Sequence, residues 1–222
     1  MTRHAPLWPA GAPICLHADD ALLVFDKPAG MLAVPGRGAA KADSLASRAR
    51  ALDAEARVVH RLDMATSGLM LLARGAAAQR ALNRAFAERR VTKRYIALVA
   101  GTVAATPGAW QSIDLPLACD WPNRPLQRVD PAHGKPSLTR YRVLAHDAAA
   151  DGTRLELEPG TGRSHQLRVH LLALGHPIVG DALYADAEVR ARSPRLLLHA
   201  ARLALLHPFT GAPLEFVSEA PF

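Results

Sequence analysis

His60-Arg61-Leu62-Asp63-Met64-Ala65-Thr66-Ser67-Gly68 is a polar block held between two apolar runs, Val58-Val59 and Leu69 to Ala73. The longer run has strand length and composition, so the segment predicts an apolar lead-in, a loop and a strand. One acid, one Arg, one His and two hydroxyls are thereby placed among buried neighbours. Burying such groups without partners costs on the order of several kcal/mol. That cost points to a site rather than a plain connection. The alternative is an Asp63 that caps a turn through Thr66 and Ser67 and ends at Gly68.

Working outward, Leu22-Leu23-Val24-Phe25 is another short apolar run, stopped by the turn residues Asp26-Lys27-Pro28-Ala29-Gly30. Residues 1–18 are Pro-rich and predict an irregular leader, with 19–222 as one folded domain. Ser44 to Ala56 has helical composition. Ala76 to Arg90 predicts an amphipathic helix, with Ala78, Ala81, Leu82, Ala85 and Phe86 on one face and Arg80, Arg84, Arg89 and Arg90 elsewhere. Tyr95 to Ala100 predicts a strand, ended by Gly101. Thr106 to Pro136 predicts a long connection or a pair of short strands, and a loop of that length is usually functional. Thr139 to Leu144 and Thr153 to Leu157 alternate like strands. Ser164 is placed to cap a helix from His165 to about Leu174, which Gly175 would stop. Leu196 to Leu206 and Glu215 to Val217 complete the strands. There is no regular βαβ alternation, so the fold class is α+β with a mostly antiparallel sheet.

The chain has 222 residues, half of them apolar and about a fifth charged, which suits a soluble globular protein with a sizeable core. No apolar run approaches the roughly 18 residues that span a bilayer. Pro6, Pro9 and Pro13 interrupt any signal-peptide core, so a cytoplasmic location is expected. Cys15 and Cys119, without a CxxC, argue for two reduced thiols and against a thiolate metal site. The net charge is +7, and residues 61–150 hold thirteen Lys/Arg against six Asp/Glu, so one region carries the surplus. That is the candidate surface for a polyanion, and its Arg bias suits phosphate forks. A merely biased composition is the alternative.

Two further blocks carry chemistry. Gly160-Thr161-Gly162-Arg163-Ser164-His165-Gln166-Leu167-Arg168-Val169-His170 is a Gly-rich turn opening a helix, favourable for an anion. His165 and Arg168 are three apart and share a helix face, from which Arg168 could reach a carboxylate. An ordinary helix with Leu167, Leu171, Leu172 and Leu174 in the core is the competing reading. His165, His170 and His176 do not match a metal pattern. In Val91-Thr92-Lys93-Arg94-Tyr95, two cations precede a Tyr on a strand, either at a cleft rim or as a half-buried sheet residue.

Taken together, His60-Arg61-Leu62-Asp63 with Thr66-Ser67-Gly68, Lys93-Arg94-Tyr95, Gly162 to Arg168, and Gly175-His176-Pro177-Ile178-Val179-Gly180-Asp181 resemble the signatures of the RluA family of pseudouridine synthases, in order. Asp26 to Gly30 is similar to the family's opening strand and turn. The resemblance covers about residues 20 to 218. Cys119-Asp120-Trp121-Pro122-Asn123-Arg124-Pro125 with Gln127-Arg128-Val129 resembles the branch with dual specificity for 23S rRNA and tRNA anticodon stem-loops. The family's S4 RNA-binding domain is not expected ahead of the opening motif.

The resemblance implies the pseudouridine synthase fold: a mixed, mostly antiparallel central sheet in two halves, flanking helices and a central catalytic cleft. It implies an isomerase, without cofactor or metal, acting as a monomer on structured RNA. Asp63 would be the catalytic carboxylate, Arg168 its partner and Tyr95 the ring that stacks on uracil. Arg61 would fill the space left by the flipped uridine. His60, Thr66, Arg94, Arg124, Arg128, His165 and Gln166 would contact RNA, with Arg84, Arg89, Arg90 and Lys93 as further phosphate contacts. A synthase for a different tRNA or rRNA uridine, a non-catalytic RNA-binding factor, and a carboxylate hydrolase lacking its second acid are the rival readings.

Overall fold

The computed structural model describes residues 14–104, 106, 108–148 and 151–222. The chain divides into two compact units, the first comprising residues up to Lys93 with Ala200–Pro221, the second Arg94–His199 with Phe222.

In the first unit β1 (Ile14–Ala18) pairs antiparallel with β2 (Leu22–Lys27), which pairs antiparallel with β4 (Ser67–Arg74). β3 (Ala56–Val58) also pairs with β4. β11 (Leu198–Leu206) enters this unit at Ala200 and pairs with β12 (Pro213–Val217). The leader expected over residues 1–18 is corrected at its end: Ile14–Ala18 is a strand, while the rest of that segment lies outside the described residues. β2 and β4 read as unbroken apolar runs because both of their faces are buried. Leu22, Val24, Leu69, Leu71 and Ala73 lie in a core cluster with Ala78, Leu82 and Ala85 of α2 (Gly75–Ala87). Each fully buried Leu there contributes about 1.5–3 kcal/mol. Leu23, Phe25, Met70 and Leu72 point the other way and are equally buried. The helix expected over Ser44 to Ala56 is shorter: α1 (Leu45–Leu52) starts at a Ser44–Ser47 capping box.

In the second unit β5 (Thr92–Ala100, in this unit from Arg94), β10 (Gly152–Pro159), β9 (Leu138–Asp147) and β6 (Gln111–Asp114) form an antiparallel sheet in that order. β7 (Leu117–Cys119) and β8 (Gln127–Val129) form a separate hairpin. Thr106 to Pro136 thus holds three short strands rather than two. α3 (Gln166–Ala173) lies on the sheet face of Thr139, whose hydroxyl meets His170 Nδ1 at 2.9 Å. Gly175 ends it as expected, with φ +83° and a Schellman pattern, the Gly175 and His176 amides donating to Leu172 and Leu171. Ser164 is not the cap. The residue before α3 is His165, in the left-handed region at φ 53°. The last helix, α4 (Ala187–Ala191), starts at Asp186, whose side chain accepts from the Val189 amide. The fold is α+β and mostly antiparallel. Neither Cys15 nor Cys119 is in a disulfide, and no helix among the described residues is long and apolar enough to cross a membrane.

Candidate active site

The Asp63 loop in the first unit is fastened at four points. At its entry His60 accepts the Leu71 amide at Nε2, 2.9 Å, and stacks on Phe86 at 4.7 Å between centroids. At its middle the Met64 carbonyl accepts the Gly30 amide at 2.8 Å and Lys27 Nζ at 3.1 Å. The Thr66 amide closes a turn onto the Asp63 carbonyl at 3.1 Å. At its exit Gly68, with φ +105°, runs so close to the first unit's β11 that a Cβ there would sit 2.4 Å from the Ala200 carbonyl oxygen. Only glycine fits that position. The result presents Arg61 exposed and Asp63 half-buried on a rigid support.

Lys27 stands in sequence among the turn residues that stop the first apolar run, yet it is 0% exposed. Its ammonium donates to the carbonyls of Pro28 (3.0 Å), Met31 (2.8 Å) and Met64 (3.1 Å). A buried charge persists only when its donors are satisfied, and here satisfying them ties the 28–31 turn to the Asp63 loop.

Several residues expected at the RNA surface have other positions. His60 serves as a backbone acceptor, and burial, seconded by Lys93, lowers its pKa to about 3, so it is a neutral brace of the loop. Thr66 is buried, as is Ser67. Gln166 is engaged within its own unit. Its buried amide accepts from Thr161 Oγ1 (2.8 Å) and the Arg163 amide (3.0 Å) and donates to the Leu138 carbonyl (2.9 Å) and Thr139 Oγ1 (3.0 Å), which consumes its capacity. Arg94 pairs with Glu156 (3.3 Å) and Glu158 (2.6 Å) and lies 4.4 Å over the Trp110 ring, beside Arg140 and Arg142. It is a member of a sheet-face ion lattice rather than an unengaged phosphate contact. Arg84, Arg89 and Arg90 are exposed, Arg90 pairing with Glu88, and Lys93 is half-buried, its pKa lowered by burial and by Arg89.

In the second unit Arg168 is 4% exposed, and Asp181 grips its Nε at 2.7 Å and Nη2 at 2.6 Å, a bidentate fork. Asp181 Oδ1 also accepts the Leu183 and Tyr184 amides. The Tyr184 ring lies 5.0 Å from the Arg168 guanidinium carbon, and its hydroxyl meets His165 Nδ1 at 2.6 Å and the Gln127 amide at 2.9 Å. Tyr95 is half-buried and opposite Leu157, which is opposite Tyr141. Directly opposed residues share a face, so Tyr95 sits on the side of this sheet that carries α3. Arg124 and Arg128 are exposed on or beside the β7–β8 hairpin, Arg128 paired with Asp130 at 3.1 Å. Asp181 and Tyr184, which aim Arg168, were missed by sequence reasoning. The only signal was the Gly180-Asp181 motif, to which no role was assigned.

Chemically, the first unit offers one carboxylate on a rigid loop, and the second offers an aimed guanidinium and a tyrosine ring. Among the described residues no cluster of three His, Cys, Asp or Glu side chains is arranged to hold a metal. The family profile of RNA pseudouridylate synthase matches residues 21–173. The chain is 50% identical over 210 residues to the dual-specificity RNA pseudouridine synthase RluA of Escherichia coli K12, covering 94% of each chain. It is 48% identical over 207 residues to the same-named protein of Pasteurella multocida, covering 93% of each. Among solved structures it is similar to human RNA pseudouridylate synthase domain containing 1, with a TM-score of 0.77, 31% identity, and 96% of this chain and 86% of that one covered. A second human structure, of domain containing 4, gives a TM-score of 0.74 at 27% identity over 93% and 88%. A profile matching more than half the chain and relatives identical at half their positions place this chain in the RNA pseudouridylate synthase family of isomerases.

Proposed function

We propose that this protein converts specific uridines to pseudouridine in 23S rRNA and in tRNA anticodon stem-loops, as a cytoplasmic monomer. Half-identity along nearly the whole chain to dual-specificity synthases supports the substrate pair. The observation that carries the catalytic reading is the Asp63 loop, which three hydrogen-bonded anchors and one close backbone approach hold so as to present one carboxylate.

In the reaction the N1–C1′ bond breaks, the uracil turns, C5 joins C1′, the C5 proton is released and N1 takes up a proton, so that none is gained or lost overall. Nothing is oxidised or reduced, so the chemistry calls for one carboxylate acting as nucleophile or base, at C1′, at C6 or at the 2′ position. Asp63 is that group. Arg168, held in orientation by Asp181, supplies the cation, and Tyr95 stacks on the turned-out base and assists proton transfer at C5. Arg61, exposed beside Asp63, fills the vacated stack. Arg124 and Arg128 contact phosphates, while His165 positions Tyr184.

Tritium release from RNA labelled at uridine C5 tests this directly. The purified protein should release tritium from both a 23S fragment and an anticodon stem-loop. Release from neither would overturn the reading, and release from one alone would remove dual specificity. Carbodiimide mapping in a knockout strain then identifies the uridines.

A further inference from the structure

Trp121 is 67% exposed at the tip of the β7–β8 hairpin, and the guanidinium carbon of Arg124 lies 4.4 Å above its ring. Neither side chain contributes to a core there. The tip is nonetheless highly ordered by its own bonds. The Asp120 amide donates to the Leu126 carbonyl (2.9 Å), the Leu126 amide to the Asn123 carbonyl (3.0 Å), and Asn123 Nδ2 to Asp120 Oδ2 (2.9 Å). The hairpin is also tied to the Arg168 cluster, because the Gln127 amide donates to the hydroxyl of Tyr184, the ring that lies on Arg168. A flat aromatic surface, stacked on a cation and held in register with Arg168, is thus displayed to solvent.

We propose that Trp121, backed by Arg124, is a stacking platform for one unpaired base in the loop of the RNA substrate, outside the position being isomerised. Every base offers a π face, and aromatic–base stacking with an Arg alongside supplies affinity without reading sequence. The adjacent guanidinium complements the phosphate of the same nucleotide. A nucleotide of a single-stranded loop satisfies both features at once. The inference rests on the synthase reading and assigns an RNA-positioning residue to that reaction.

The test compares Trp121→Ala, Trp121→Phe and the wild-type chain on an anticodon stem-loop, by single-turnover tritium release, KM and thermal melting. Trp121→Ala should raise KM about 5- to 150-fold, the range of one lost base stack, with the saturating rate and melting temperature unchanged and Trp121→Phe recovering most of the affinity. An abasic nucleotide placed at each loop position in turn should locate one position at which the Trp121→Ala penalty disappears. Unchanged KM in Trp121→Ala, a lost saturating rate with unchanged KM, or a penalty insensitive to every abasic position would overturn the platform. A change in sedimentation with RNA affinity intact would instead give this face to a protein partner and overturn it equally. Wild-type protein inactive on every RNA would defeat the synthase reading itself, a result separable from all of these.

Discussion

Replacing Asp181 by Asn tests whether Arg168 is aimed from within its own unit. The pair is almost wholly buried, at 4% and 1% side-chain exposure, with contacts of 2.6 and 2.7 Å. The amide keeps one acceptor for the Leu183 and Tyr184 amides but turns an NH₂ or a neutral oxygen toward a guanidinium still shielded from water. Removing one partner of such a pair costs about 3–5 kcal/mol. For a chain of this size that is a fall in Tm of roughly 6–20 °C. Activity should fall as well, since the guanidinium loses its orientation. The double variant Arg168→Met/Asp181→Leu separates the two effects. Its buried charges are replaced by apolar volume, so stability should return toward wild type, while tritium release stays lost because the cation is gone. Guanidinium chloride unfolding and the release assay read both quantities. Wild-type stability in Asp181→Asn, or recovered activity in the double variant, would refute the reasoning.

Asp63→Asn and Asp63→Ala should abolish tritium release while leaving RNA affinity and folding nearly intact, measured by filter binding and circular dichroism; turnover in either variant removes Asp63 from the chemistry. Gly68→Ala should lose on the order of 3 kcal/mol or more, because its Cβ meets the Ala200 backbone and φ is positive, and a wild-type melting curve would deny that close approach. His60, neutral when folded with a pKa of about 3, titrates at about 6.5 when unfolded. The unfolded chain therefore binds the extra proton between those values. The contribution is complete above the unfolded pKa and is lost, at about 1.4 kcal/mol per pH unit, as pH falls toward the folded one. His170, lowered in the same direction, adds to the trend. Denaturation at pH 5 and pH 7 should thus show a smaller acid loss in His60→Gln than in wild type. For RNA binding, Arg124→Ala should reduce the salt slope by about one, whereas Arg94→Ala, already engaged by two glutamates, should leave it unchanged.

The elements that followed simple periodicities were legible in the sequence. The helix Gly75–Ala87 buries Ala78, Leu82 and Ala85 as its 3.6-residue pattern required. The strands at Leu22–Lys27 and Ser67–Arg74 were visible as apolar runs. α3 defeated the same reasoning. Gln166, Arg168 and His170 are all buried in it, while Leu172 is 40% exposed, because the polar groups find partners in Thr139, Leu115 and Asp181, far away in sequence. Hydrophobic patterning carries no record of such partners. Charge was misleading for a related reason. The surplus of residues 61–150 includes Arg94, Arg140 and Arg142, which Glu156 and Glu158 from the following segment engage. Asp63 stands out in the sequence only because its neighbours form a motif; the supports of its loop, Lys27 and the glycine contact at Ala200, come from distant strands.

Lys27 is one of four lysines in the chain, and Lys41 and Lys135 are exposed. An amine-directed reagent reaches the exposed pair at once but can modify Lys27 only when the 28–31 turn lifts from the carbonyl of Met64. Mass-spectrometric labelling kinetics at this single nitrogen therefore measure how often the ground beneath the Asp63 loop opens. Bound RNA that stiffens that loop would slow the reaction there and leave the two surface amines as internal clocks.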